Sequence, residues 1–289
     1  MSGRVVADEL ARIPTTARGV GEMDRTVLAV PAVLVAAALF VSRLAINARS
    51  GSPIDLVAFQ KLLVPLTALA CAGSLLAVAI SHGESYETVG LAFVGVFGVA
   101  GTIARPAYLP TIVAIMAGTA LATGGRLFNE PIRIGPVVVG GLLISGLAVS
   151  LAGTFGFASA ATRSLGTQLT LIGVAGTPIF LVRDRADYLV GALGTGLLVA
   201  VGLIGPFVLG ATGLVAGGIV GASLPLMALA VGGLTTTASA ALRTHQHAAA
   251  LGAGLLLFAG IPATLPRALA FVLAVVLLVE TTTGGAGDA

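Results

Sequence analysis

The sequence breaks into about ten apolar runs, each near the length of helix needed to cross a bilayer, separated by short polar or Gly/Pro punctuation. They fall at 27–48, 61–82, 88–104, 107–125, 135–155, 165–182, 188–209, 211–240, 246–263 and 266–282. A hydrocarbon core of about 30 Å takes roughly 20 apolar residues in a helix. Backbone N–H and C=O groups have no water to pair with there, so a spanning segment is either a helix or a strand in a closed barrel. Barrel strands alternate apolar with polar residues over about ten positions, and these runs do not alternate. The pattern therefore predicts an all-α, polytopic transmembrane helix bundle of ten spans, with nine to eleven allowed by the nearly unbroken stretch 187–242. Gly205-Pro206, Gly217-Gly218 and Pro225 are the candidate breaks in that stretch.

Composition excludes the soluble alternative. Hydrophobic residues make up 57% of the chain and charged residues only 9%, with a mean hydropathy of +1.06, whereas soluble domains carry about 25% charge. Residues 1–26 are polar and mixed in charge, a soluble tail; 27–282 form the transmembrane domain; 283–289 read as a polar, Gly-rich tail without fixed structure. The first run is longer than the core of a signal peptide, which predicts a retained anchor.

The net charge of +3 is spread as single arginines in short connections. That is a topology signal rather than a nucleic-acid footprint, and the absence of Trp and scarcity of aromatics remove stacking platforms. In the ten-span arrangement, Arg4, Arg12, Arg18, Arg25, Arg126, Arg133, Arg183, Arg185 and Arg243 fall on one side, against Arg43, Arg49, Lys61, Arg105, Arg163 and Arg267 on the other. Nine against six predicts a cytoplasmic N-terminus, and an even span number a cytoplasmic C-terminus, at the cell membrane. One Lys against fourteen Arg, with abundant Ala, Gly and Val, points to a GC-rich prokaryotic genome.

Short segments echo one another. Gly135-Pro136-Val137-Val138-Val139-Gly140 matches Gly205-Pro206-Phe207-Val208-Leu209-Gly210, and Ala158-Ser159-Ala160-Ala161-Thr162-Arg163 matches Ala238-Ser239-Ala240-Ala241-Leu242-Arg243. A further echo links Gly98-Val99-Ala100-Gly101-Thr102 with Gly173-Val174-Ala175-Gly176-Thr177. These suggest a leading helix followed by three units of three helices, at 61–134, 135–204 and 205–282, with neighbouring units pointing in opposite directions.

Chemistry-bearing residues are sparse. No Asp, Glu, Lys or Arg stands in the middle of a span, which argues against proton-coupled transport. Cys71 is alone, His82, His245 and His247 lie at helix edges, and no metal or cofactor is expected. No Ser/His/Asp set, HExxH or phosphate-binding loop is present, so the chain reads as a non-enzyme; His82 with Glu84 and Glu87 is the only interfacial cluster an enzyme acting on lipid would offer. The spans carry Ser74, Ser145, Ser150, Thr119, Thr154, Thr170 and Thr195 as hydrogen-bonding groups between helices, and Gly213-x-x-x-Gly217-x-x-x-Gly221 as a close-packing face. Gln168 is the most polar mid-helix side chain, and an unpaired amide in hydrocarbon is expensive. Gln168, Thr170 and Thr177 are therefore the candidate substrate contacts.

Size and span number resemble those of compact ten-helix carriers such as drug/metabolite transporters, without a shared motif. Two functions remain. The first is a membrane scaffold or accessory subunit of a partner complex, bound to other membrane subunits or to its own copies. The alternative is a small permease for an uncharged or weakly polar solute. A permease requires a polar cavity at mid-depth lined by Gln168 or the Ser/Thr set; a scaffold requires a filled interior.

Overall fold

The computed structural model describes residues 25–48, 56–82, 85–104, 108–129, 134–182, 184–204, 224–260, 262 and 264–280. The bulk of the N-terminal tail, the C-terminal tail and the Gly213/Gly217/Gly221 face lie outside them. Ten helices carry the described chain: α1 Arg25–Ala48, α2 Leu56–His82, α3 Ser85–Ile103, α4 Tyr108–Asn129, α5 Ile134–Thr154, α6 Ala160–Ala175, α7 Arg185–Ile204, α8 Leu224–Arg243, α9 His247–Ala259 and α10 Leu265–Glu280. A single further turn, Pro178–Leu181, extends α6. Among the described residues there is no strand.

Six stretches are long and apolar enough to cross a membrane: Thr26–Arg43, Val57–Ser81, Tyr86–Ile103, Ile134–Thr154, Ala161–Leu181 and Pro225–Arg243. Pro110–Gly124, His247–Ala259 and Leu265–Val279 are apolar but shorter. Pro31 and Pro65 sit inside α1 and α2 without ending them, whereas Pro178 starts the turn after α6. The expected span 211–240 is described only as Leu224–Arg243, with Pro225 in its first turn, where a missing N–H breaks no hydrogen bond.

Consecutive helices run antiparallel, and glycines set their spacing. A methyl group placed on Gly90 of α3 would stand 2.5 Å from the Gly118 carbonyl of α4, and the reverse holds equally. In the α5–α6 pair Gly146 meets Thr170, Gly166 meets Ser150 and Gly153 meets Arg163; in the α7–α8 pair Gly191 meets Thr236 and Gly232 meets Thr195. Lipid is as apolar as Leu, so the hydrophobic effect does not hold these helices together. Close backbone approach and dispersion do.

The centre of the bundle is α10. Every residue from Ala268 to Val279 is buried, and α1, α2, α3, α4, α5 and α9 all touch it. At 16 residues and about 1.5 Å per residue, α10 is about 24 Å long. That is short for a span, which a helix shielded by protein tolerates. The 27-residue α2 beside it extends to about 40 Å by the same rise.

The echoed segments divide into two kinds. Gly98–Thr102 closes α3 and Gly173–Thr177 closes α6; antiparallel alternation puts them at opposite ends of the bundle, as opposed units require. Ala158–Arg163 instead opens α6, after a turn in which Gly156 takes φ 80°, while Ala238–Arg243 closes α8. That echo does not mark equivalent structure. Nor do triplets pack alike: α2, α3 and α4 form a consecutive layer, but α7 leans on α8 of the next unit.

Candidate functional site

The three residues predicted to contact substrate do not converge. Gln168 is exposed on the outside of α6. Thr170 is buried and donates to the Gly166 carbonyl at 2.8 Å, filling the space beside Gly146. Thr177 is buried at the turn after α6, donating to Val174 O at 2.8 Å and lying 2.9 Å from the Thr237 hydroxyl of α8.

Most of the remaining hydroxyls serve their own helices. Thr119, Thr154 and Ser145 bond carbonyls three or four residues back, because in a dry interior the nearest acceptor is the preceding turn. Of the seven hydroxyls expected to join helices, only Ser74, Ser150 and Thr195 bond to another element. Ser74 donates to Leu28 O at 2.7 Å, Thr195 to Ala228 O at 3.2 Å, Thr111 to Phe97 O at 3.2 Å and Ser150 to Pro262 O at 3.4 Å. These are fasteners between elements and do not surround a common space.

Two ends of the bundle differ in charge. At the end holding the described termini, Asp187 in the first turn of α7 is buried, forms an ion pair with Arg243 at the end of α8, and accepts a hydrogen bond from Ser239 at 3.1 Å. The carboxylate stands at a helix start and the guanidinium at a helix end, where the helix dipoles favour each. Glu87 is buried in the first turn of α3 at this same end. His82 and Glu84, its partners in the interfacial cluster read from sequence, have no described side chains. His245 and His247 lie edge to face at 6.2 Å in the α8–α9 turn, with His245 at φ 56°.

The far end is basic. Among the described residues, Arg43, Lys61, Arg163 and Arg267 lie there, while Glu87, Asp184, Asp187 and Glu280 all lie at the other end. Because α10 is short, its start at Leu265 is recessed beneath the longer helices. The recess is a cavity of about 460 Å³ lined by Lys61 and Pro65 of α2, Thr102 of α3, Thr154 of α5, and Thr264 and Pro266 at the α10 start. Arg267 follows the lining residue Pro266 in the first turn of α10. In the sequence Lys61 counts only among the cations of one side, and Thr154 reads as a hydroxyl bonding between helices. The available signal was the basic excess of the connections at this end.

A helical bundle with apolar exteriors, a core helix without a polar residue between Ala268 and Val279 and, among the described residues, charge confined to its two ends is a polytopic integral membrane protein. Residues 25–279 match the model of an integral membrane family of unknown function, DUF8068, and the chain belongs to that family. Neither a curated protein nor a solved structure matches it.

Proposed function

We propose that this protein is a non-catalytic membrane scaffold or accessory subunit in a prokaryotic cell membrane, with both termini cytoplasmic. The observation that carries the reading is α10: from Ala268 to Val279 the bundle centre is filled by Ala, Leu, Val and Phe side chains, all buried. A solute passing the midplane would meet this apolar plug. The permease alternative would have to start from the far-end cavity, and α10 lies directly beneath it.

Gln168 supports the partner half of the proposal. Its amide faces outward near the middle of α6, where hydrocarbon leaves a polar group unsatisfied and a neighbouring helix that hydrogen-bonds it relieves the penalty. The partner is another membrane subunit or a second copy of this chain.

Reconstitution tests the proposal directly. Proteoliposomes loaded with a panel of neutral and weakly polar solutes are expected to release them at the rate of protein-free vesicles. Protein-dependent flux that responds to Leu273→Trp in α10 would overturn the scaffold reading in favour of a carrier. Gln168→Leu is expected to lower association in the membrane, read by cross-linking at that position.

A further inference from the structure

We propose that the partner met by Gln168 is a second copy of this chain, joined through α6 about a two-fold axis along the membrane normal, with the two Gln168 amides hydrogen-bonded to each other. The inference rests on the partner half of the scaffold reading and names that partner.

The first observation is where polarity faces lipid. Gln168 is exposed, stands in the interior of the Ala161–Leu181 span, and makes no hydrogen bond to a described residue. Among the described residues, every other exposed side chain able to hydrogen-bond stands in the first two turns or the last turn of a helix, or between helices. At those places headgroups and water reach it. An amide in mid-span gives up its hydrogen bonds to water and receives none from hydrocarbon, so a protein partner is favoured.

The second observation is the face that carries the amide. Helix α6 turns Ala161, Leu165, Gln168 and Ile172 outward, while Gly166, Thr170 and Gly173 on its other side are committed to α5. The outward positions recur at intervals of four, three and four. Two helices meet along a seam with that spacing, and a single polar residue within such a seam fixes its register.

Symmetry then selects the occupant. Copies of one chain insert with one orientation, so a two-fold axis relating them runs along the membrane normal and sets each residue at the depth of its own twin. A carboxylate or an ammonium at position 168 would face a like charge. An amide carries both donors and an acceptor, so each Gln168 donates to the other and accepts from it. No charged residue lies between Arg163 and Arg183, and the rest of the face therefore neither repels its twin nor calls for a partner of opposite charge.

The test uses the full-length chain, labelled at its C-terminus with a donor or an acceptor fluorophore, the two populations reconstituted together in phosphatidylcholine vesicles. Energy transfer is expected to persist as the protein is diluted with lipid. Gln168→Leu is expected to move the midpoint about tenfold toward higher protein density, the size of two lost hydrogen bonds between helices in a bilayer, and Gln168→Asn to keep most of the association. Gln168 is exposed, so neither replacement disturbs the core.

Cysteine cross-linking checks the geometry. In a Cys71→Ala background, Leu165→Cys and Ile172→Cys are each expected to give disulfide-linked dimers under oxidant, because each residue meets its own twin, while Leu193→Cys on α7 stays monomeric. Absent energy transfer, transfer that is equally strong in Gln168→Leu, or cross-linking at Leu193 in place of the α6 positions overturns the proposal. The scaffold reading fails differently, on protein-dependent solute flux: a dimer that conducts solute keeps the α6 interface and loses the scaffold role, whereas a monomer without flux loses only the interface.

Discussion

Helices α7 and α10 are both written mainly in Leu, Val and Ala, and apolar composition alone does not tell which of them is central. Their places in the bundle are opposite. In α7, Leu189, Leu193 and Leu197 are 67%, 73% and 67% exposed, and the helix leans mainly on α8. In α10, Leu269, Leu273 and Leu277 are all 0% exposed and touch helices on every side. In water this difference would be visible in sequence as a polar face on α7. In lipid, an outward Leu carries no penalty, so inside and outside use the same residues.

The comparison breaks most sharply on a pair of truncations. Leu273→Ala in α10 is expected to destabilise the bundle by about 2–5 kcal/mol, because a cavity opens where no side chain can collapse into it. Leu193→Ala in α7 should stay within about 0.5 kcal/mol. Unfolding of both variants in the same detergent or bicelle decides the matter, and equal losses would mean that α10 is not the core.

A second contrast concerns how α7 is held. Asp187 is buried and Arg243 covers it, so Arg243→Ala leaves a carboxylate without its cation and should destabilise by about 1–3 kcal/mol. The loss is expected to be local. Hydrogen exchange should rise in α7 and the end of α8 while α10 stays protected, and uniform loosening would show that α7 and α10 unfold as one unit.

The smallest effects compare two glycines within α7. A methyl on Gly191 would collide with the Thr236 hydroxyl of α8, so Gly191→Ala should cost about 1–3 kcal/mol through overpacking. Gly196 has open space around it, and Gly196→Ala should be neutral or stabilising by up to about 1 kcal/mol from helix propensity. Thermal unfolding of the two variants side by side checks which face of α7 meets α8.

Much of the helical layout was legible. The predicted runs and the described helices coincide to within a few residues at most ends, because backbone satisfaction in hydrocarbon is a local rule that each run obeys alone. The stretch 187–242 was harder to divide, since Gly and Pro punctuate but do not say whether a neighbour re-pairs the freed backbone. The candidate site was much less legible. Gln168 drew attention as a polar residue in an apolar run, but helical phase against unseen neighbours decided that it faces outward. Lys61, Thr102, Thr154 and Thr264 come from four segments spread over 200 residues of sequence, and nothing in any one segment announces the others.

By itself, the sequence determined the solvent, the helical state and the concentration of charge at helix ends, because each follows from the free energy of placing one backbone or side-chain group in hydrocarbon. Only the tertiary structure decided which apolar helix is central, which hydroxyls join helices, and that a short core helix leaves a basic recess above it. Those outcomes depend on shape and close approach between distant segments, and lipid, unlike water, leaves no polarity pattern on the sequence to record them.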